Sequence, residues 1–275
     1  MGLARGCVVG VLSLLALAPV ARAGGGGASS VDASRDRGGD ATEAPPPAWS
    51  GARSAEAGMF LPLTLSPRAG TQKAVVSVVS GWDSQRGAVL RASTEIHPWG
   101  PFVLQAGAIY AGATSLQPRL GVRVQILRQA RHAVDVAIGA QYDGASYEGK
   151  PGFETFVAVS RQLGRVGLFA NFVYGQELDE TQRHGEVRLA ALVRLAAPVY
   201  AGLDGRVAFD LDPGRTADAG EVSDVDFTAT AGPTVSYSVR WFTLLLQGGG
   251  VATRWKGRAT ELGGAAVAGF GLTLF

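Results

Sequence analysis

One cysteine, three histidines, three lysines and a single asparagine are all that 275 residues contain of these types. Cys7 alone permits no intrachain disulfide and no cysteine-rich metal site. His97, His132 and His184 are far apart, and no H-E-x-x-H, P-loop or G-x-S-x-G string occurs. Charged residues make up only 17% of the chain, and the formal charge of +2 gives no electrostatic case for nucleic acid binding. No uninterrupted apolar run reaches 18 residues, so no membrane-spanning helix is expected. The 39 glycines follow no G-X-Y period, which excludes collagen.

What is present begins with an export signal. Residues 1–23 combine Arg5, an apolar stretch from Cys7 to Ala18 broken by Pro19, and the small-x-small site Ala21-Arg22-Ala23. Its removal takes two arginines, leaving 23 basic residues against 23 acidic ones. Cys7 opens the apolar stretch instead of following it, a position that does not fit a lipoprotein's acylated cysteine. Residues 24–70 are poor in large apolar side chains and rich in Gly, Pro and charge, which predicts a disordered linker. Within it, Met59-Phe60-Leu61-Pro62-Leu63 reads as a tether, with a first edge segment or a lumen plug as alternatives.

From residue 71 to 275 the pattern changes to segments of about 9 to 13 residues in which apolar and polar side chains alternate. Twelve strands are expected, over 71–82, 86–97, 101–111, 117–127, 132–142, 153–161, 165–175, 185–195, 199–211, 224–235, 240–252 and 262–275. Residues two apart share a face. Leu120, Val122, Val124 and Ile126 therefore oppose Arg119, Gly121, Arg123 and Gln125; Val187, Leu189, Ala191 and Val193 oppose Glu186, Arg188, Ala190 and Arg194.

Two all-β architectures fit. A soluble secreted barrel or sandwich turns the apolar face inward and binds an apolar ligand there. A transmembrane up-and-down antiparallel β-barrel turns it outward against lipid. The strands have the length a tilted membrane crossing needs, and an ordinary soluble surface would carry more lysine. Trp82, Tyr110, Tyr142 and Tyr174 each stand eight residues after the first apolar-face residue of strands 1, 3, 5 and 7, which predicts an aromatic girdle at one interface. Tight connections after even strands alternate with longer polar ones after several odd strands, including Asp143–Gly152, Gln176–His184, Asp212–Ser223 and Arg254–Glu261. That asymmetry predicts periplasmic turns, external loops and both termini in the periplasm.

Over residues 71–275 the chain resembles the bacterial outer-membrane β-barrel proteins. The ending Gly269-Phe270-Gly271-Leu272-Thr273-Leu274-Phe275 is similar to the signal read by the barrel-assembly machinery, although Phe275 falls on the face opposite Phe270, Leu272 and Leu274. The resemblance implies a Gram-negative outer-membrane location, contact with membrane lipid and lipopolysaccharide, and no cofactor.

The expected lumen-lining residues are Arg91, Glu95, Arg119, Arg123, Asp135, Glu154, Glu186, Arg188, Arg194, Asp204, Arg206, Asp210 and Asp226, with Asn171 also inward. Opposed charges suit a passive, porin-like pore for small polar solutes. Interior ion pairs that close the barrel are the alternative, with a structural or surface-interaction role. Outer-membrane phospholipases and lipid A deacylases resemble this size and shape, and place a His two residues before a Ser nucleophile. Here those positions hold Trp99, Val134 and Glu186. No catalytic or metal-binding residue is expected, and His184 reads as a solvated loop residue. Asp143, Glu148, Asp179, Glu180, Asp212, Asp218 and Glu221 read as acids that keep the loops wet.

Overall fold

The computed structural model describes residues 74–84, 87–111, 116–144, 151–178, 183–196, 198–211, 225–239, 241–255 and 258–274. The expected signal peptide, the linker and Phe275 lie outside the described residues. Twelve strands are formed: β1 (Ala74–Asp83), β2 (Gly87–Ile96), β3 (Phe102–Ala111), β4 (Gln117–Leu127), β5 (Asp135–Asp143), β6 (Gly152–Leu163), β7 (Val166–Glu177), β8 (Arg183–Ala196), β9 (Val199–Asp210), β10 (Val225–Ser238), β11 (Phe242–Trp255) and β12 (Thr260–Leu274). One helical turn, α1 (Gln129–His132), stands in the β4–β5 connection. It is held by a mutual pair of bonds in which Gln129 Nε2 donates to the Gln162 carbonyl and the Gln162 amide donates to Gln129 Oε1, both at 2.7 Å.

Every strand pairs antiparallel with its chain neighbours, and β1 pairs with β12 from Ala74↔Leu274 to Asp83↔Ala265, so the sheet closes into a barrel. Closure removes both edges and satisfies the backbone internally, the condition for strands to cross hydrocarbon. The β6–β7 turn needs only Gly164 and Arg165, with Gly164 in the left-handed region at φ 57°.

Burial decides which face looks where. The apolar rows stand on the outside, with Leu120, Val122, Ile138, Val157, Leu189, Leu203, Leu246 and Phe270 all exposed. The inside carries Arg, Glu, Asp, Ser and Thr. So continuous an apolar exterior needs hydrocarbon as its solvent. Outward charges on the strands stand at their ends, as with Arg161, Arg183 and Arg254.

Trp82, Tyr110, Tyr142 and Tyr174 point outward at the ends of β1, β3, β5 and β7, here called the loop end. Phe153 joins them, packing edge-on against Tyr142 at 5.7 Å between centroids. A second ring stands at the opposite, turn end. Trp99 packs on Phe102 and Trp241 on Phe242, with Tyr237 also outward. The spacing rule that found the first ring misses this one, because Trp99 and Trp241 lie in the turns rather than in the strands.

Candidate functional site: the charged barrel interior

Five arginines (Arg91, Arg119, Arg123, Arg188, Arg206) and seven acids (Glu95, Asp135, Asp143, Glu154, Glu177, Glu186, Asp204) are buried among the described residues. All lie on β2 and β4–β9. The inner faces of β10, β11, β12 and β1 carry no buried charge among the described residues. They present Thr228, Thr230, Thr234, Ser236, Thr243, Thr253, Thr273 and Ser77, with a small apolar cluster of Val79, Val251, Ala265 and Val267. Leu245 and Gln247 are also buried on β11, so the interior has an ionic arc facing an uncharged wall made mostly of hydroxyls and small side chains.

The ionic arc forms two layers. In the layer nearer the loop end, Arg188 and Arg206 occupy directly opposed positions on β8 and β9. Like charges opposite one another destabilise a sheet. Glu186 removes the conflict by accepting from both, from Arg188 Nη2 at 2.8 Å and Arg206 Nη1 at 3.2 Å. Asn171 stands opposite Arg188 on the other side, on β7. Arg119 faces Asp143 across β4 and β5, with Nη2 to Oδ2 at 3.5 Å. Gln141 Nε2 donates to Glu154 Oε2 at 2.6 Å, and His184 Nε2 lies 3.6 Å from the other carboxylate oxygen of Glu154. The His184 ring lies over Gly175, where a Cβ would overlap it.

The groups also act on one another across the lumen. Arg91 on β2 feels the charges of Arg188 and Arg206 on β8 and β9, about half the circumference away. Arg119 and Arg188 are 1% and 0% exposed, so side chains constrict the interior at this level.

The second layer lies nearer the turn end. Arg123 presents both terminal nitrogens to Glu95, Nη1 to Oε1 at 3.4 Å and Nη2 to Oε2 at 3.3 Å. His97, just beyond β2, is 3.9 Å from Glu95. Burial, reinforced by the Arg123 charge, pushes the His97 imidazole down to about 4, so it is neutral at pH 7. Asp135 Oδ1 accepts from Gln125 Nε2 at 3.1 Å and from the Gln129 amide at 2.8 Å, tying the interior to α1.

Ten of the thirteen expected lumen residues thus belong to the buried interior. Arg194 is exposed at the turn end of β8, and Asp210 is half-buried at the loop end of β9, opposite His184. Asp226 departs from the expectation. A register shift between Val225 and Phe227 places it in a β-bulge, where it is 45% exposed and pairs with Arg254 at 3.4 Å. Conversely, Asp143, Glu177 and His184 join the interior although the sequence places them in or beside loops. The β5–β6 and β7–β8 ladders run further than the alternation signals, through Gly152 and Gly175, which offer no apolar side chain to mark the period.

No family model matches the sequence, and no curated protein matches it either. Among solved structures, the NanC porin superposes with a TM-score of 0.54 at 11% identity, covering 72% of this chain and 100% of its own. The outer membrane channel DcaP of Acinetobacter baumannii gives a TM-score of 0.43 at 10% identity over 68% of this chain and 63% of its own. LpxR from Salmonella typhimurium gives 0.43 at 12% identity over 74% of this chain and all of its own. With apolar rows outside, ions inside and an outward aromatic ring at each end, the chain has the closed antiparallel fold of the bacterial outer-membrane β-barrel proteins.

Proposed function

We propose that the protein is a narrow, passive outer-membrane channel for small polar solutes, without catalytic activity. The reading rests on one observation above the others: the buried arginines and carboxylates are arranged as opposed, partnered rows facing a hydroxyl wall. Such an interior presents a transverse field and hydrogen-bonding groups to whatever passes, which orients a dipolar solute. The constriction is the layer of Arg119, Glu186, Arg188 and Arg206. The loop end faces the exterior and the turn end the periplasm, with an export signal before the barrel and β12 recognised by the barrel-assembly machinery. Lipopolysaccharide and other membrane lipids surround it.

The complete burial of Arg119 and Arg188 supports a second reading, a barrel closed by its own ion pairs. Planar-bilayer recording separates the two. Purified, folded protein is expected to give small conductance steps, and Arg188→Ala is expected to enlarge them and shift ion selectivity. A silent wild type would refute the channel, and steps that appear only in Arg188→Ala would support the barrel closed by its own ion pairs.

A further inference from the structure

The outer wall of the barrel is not uniformly bulky. Across β9, β10 and β11 the outward residues of two adjacent hydrogen-bonded rows are small. Gly205, Ala231 and Gly250 align in one row, and Ala229 and Ala252 align in the next toward the loop end. Leu189 of β8 closes the first row and Leu262 of β12 the second. The result is an open apolar groove of about 600 Å3 on the lipid-facing side. Five strands at about 4.8 Å spacing make it roughly 19 Å long. Strands tilted by about 40° set these rows at a slant, so the groove descends about 12 Å of the roughly 15 Å of one leaflet's hydrocarbon and takes most of one acyl chain lying slantwise.

The rim above this groove is basic. Arg254 continues the outward face of β11 two residues beyond Ala252, about 7 Å further toward the loop end. Its side chain is 56% exposed and touches Asp226 through Nε. Arg183 stands exposed on the outward face of β8, four residues before Val187 of the groove wall. Phe209 and Phe227, paired in register on β9 and β10, lie between the two arginines at interface depth. An apolar slot below two separated guanidinium groups matches an acyl chain below an anionic headgroup.

We propose that this face binds one molecule of the phosphorylated, multiply acylated glycolipid of the outer leaflet, lipid A in chemical class. One acyl chain lies in the Gly205–Ala231–Gly250 groove and the phosphates lie against Arg183 and Arg254. The assignment rests on the outer-membrane reading above, with the loop end facing outward.

The test is native mass spectrometry of the full-length folded barrel, released from mild non-ionic detergent in the presence of bisphosphorylated lipid A. The expected result is retention of one lipid A. Occupancy should fall at least tenfold in Ala231→Leu, which fills the slot, and at least fivefold in the Arg183→Gln/Arg254→Gln double variant. Lipid A stripped of its phosphates and phosphatidylglycerol should both be retained less. Barrel integrity is read separately, by circular dichroism and by the heat-dependent shift in electrophoretic mobility. Equal retention in wild type and in intact Ala231→Leu would overturn the site while leaving the membrane barrel standing. A dimer without lipid A that Ala231→Leu dissolves would replace the lipid with a second copy of the chain. A protein soluble and folded without detergent would overturn both the site and the reading beneath it.

Discussion

Replacing Glu186 by Gln tests whether the interior ion pairs organise the barrel. The carboxylate accepts from Arg188 at 2.8 Å and from Arg206 at 3.2 Å, and those two arginines are directly opposed on neighbouring strands. Glutamine keeps one acceptor oxygen but turns an NH2 group, itself a donor, toward the second guanidinium. One charged hydrogen bond, worth about 1.5–3 kcal/mol, is lost outright. The two positive charges also lose the negative charge between them in a buried setting. Breaking such a buried arrangement from one side costs about 3–5 kcal/mol. The assay is reversible urea unfolding from lipid vesicles, comparing midpoints at unchanged slope so that the difference reports stability. Two controls fix the scale. Asp226→Asn, at a pair that is about half exposed, should cost less than about 1 kcal/mol. The triple change Glu186→Leu, Arg188→Met and Arg206→Met should recover most of the loss, because it removes the charges together rather than stranding two of them. A Glu186→Gln cost below about 1 kcal/mol would refute the claim that this carboxylate holds the two arginines in place.

Two further outcomes are expected. Val157 sits midway along β6 on the outward face, so Val157→Arg should cost about 2–4 kcal/mol in the same unfolding assay, against about 0–1 for Leu163→Arg at the turn end; equal costs would remove the depth dependence that lipid imposes. His97 has its folded value pushed from 6.5 down to about 4, so below 6.5 the unfolded chain takes up a proton that the folded barrel resists. Stability should therefore fall as pH drops from about 6.5 toward 4, and His97→Gln should flatten that slope when urea midpoints are compared across the range. An unchanged slope in the variant would assign the acid sensitivity to other groups.

Much of this architecture is legible in the chain because a half-polar strand writes its own period. β4 and β8 show it plainly: each alternates aliphatic and charged residues, and one register makes all of one set inward. The first aromatic ring is legible for the same reason, since it closes the apolar face at a fixed offset. Legibility fails where the period is interrupted. Asp226 follows the alternation of β10 on paper, but the bulge beside it adds a residue and turns it away from the lumen. Asp143 and His184 lie where glycines and polar residues blur the strand ends, so nothing local distinguishes a buried acid or imidazole from a wet one. The partnering itself is non-local. That Glu186 serves two arginines depends on the β8–β9 register, and that Arg91 feels charges on β8 and β9 follows only from closure of the barrel.

The division of the interior into an ionic arc and a hydroxyl wall also bears on how the cylinder is made. The closing ladder, β1 on β12, brings Val75, Ser77 and Val79 beside Thr273, Gly271 and Gly269. Among the described side chains of this ladder none is ionic, so a brief parting of the two strands brings hydroxyls, small apolar side chains and backbone to the hydrocarbon. The arginines and carboxylates, by contrast, sit on strands already flanked on both sides. The cylinder thus opens sideways at little electrostatic cost here, as it does along β10–β11 and β11–β12, and at a higher one between the strands of the ionic arc.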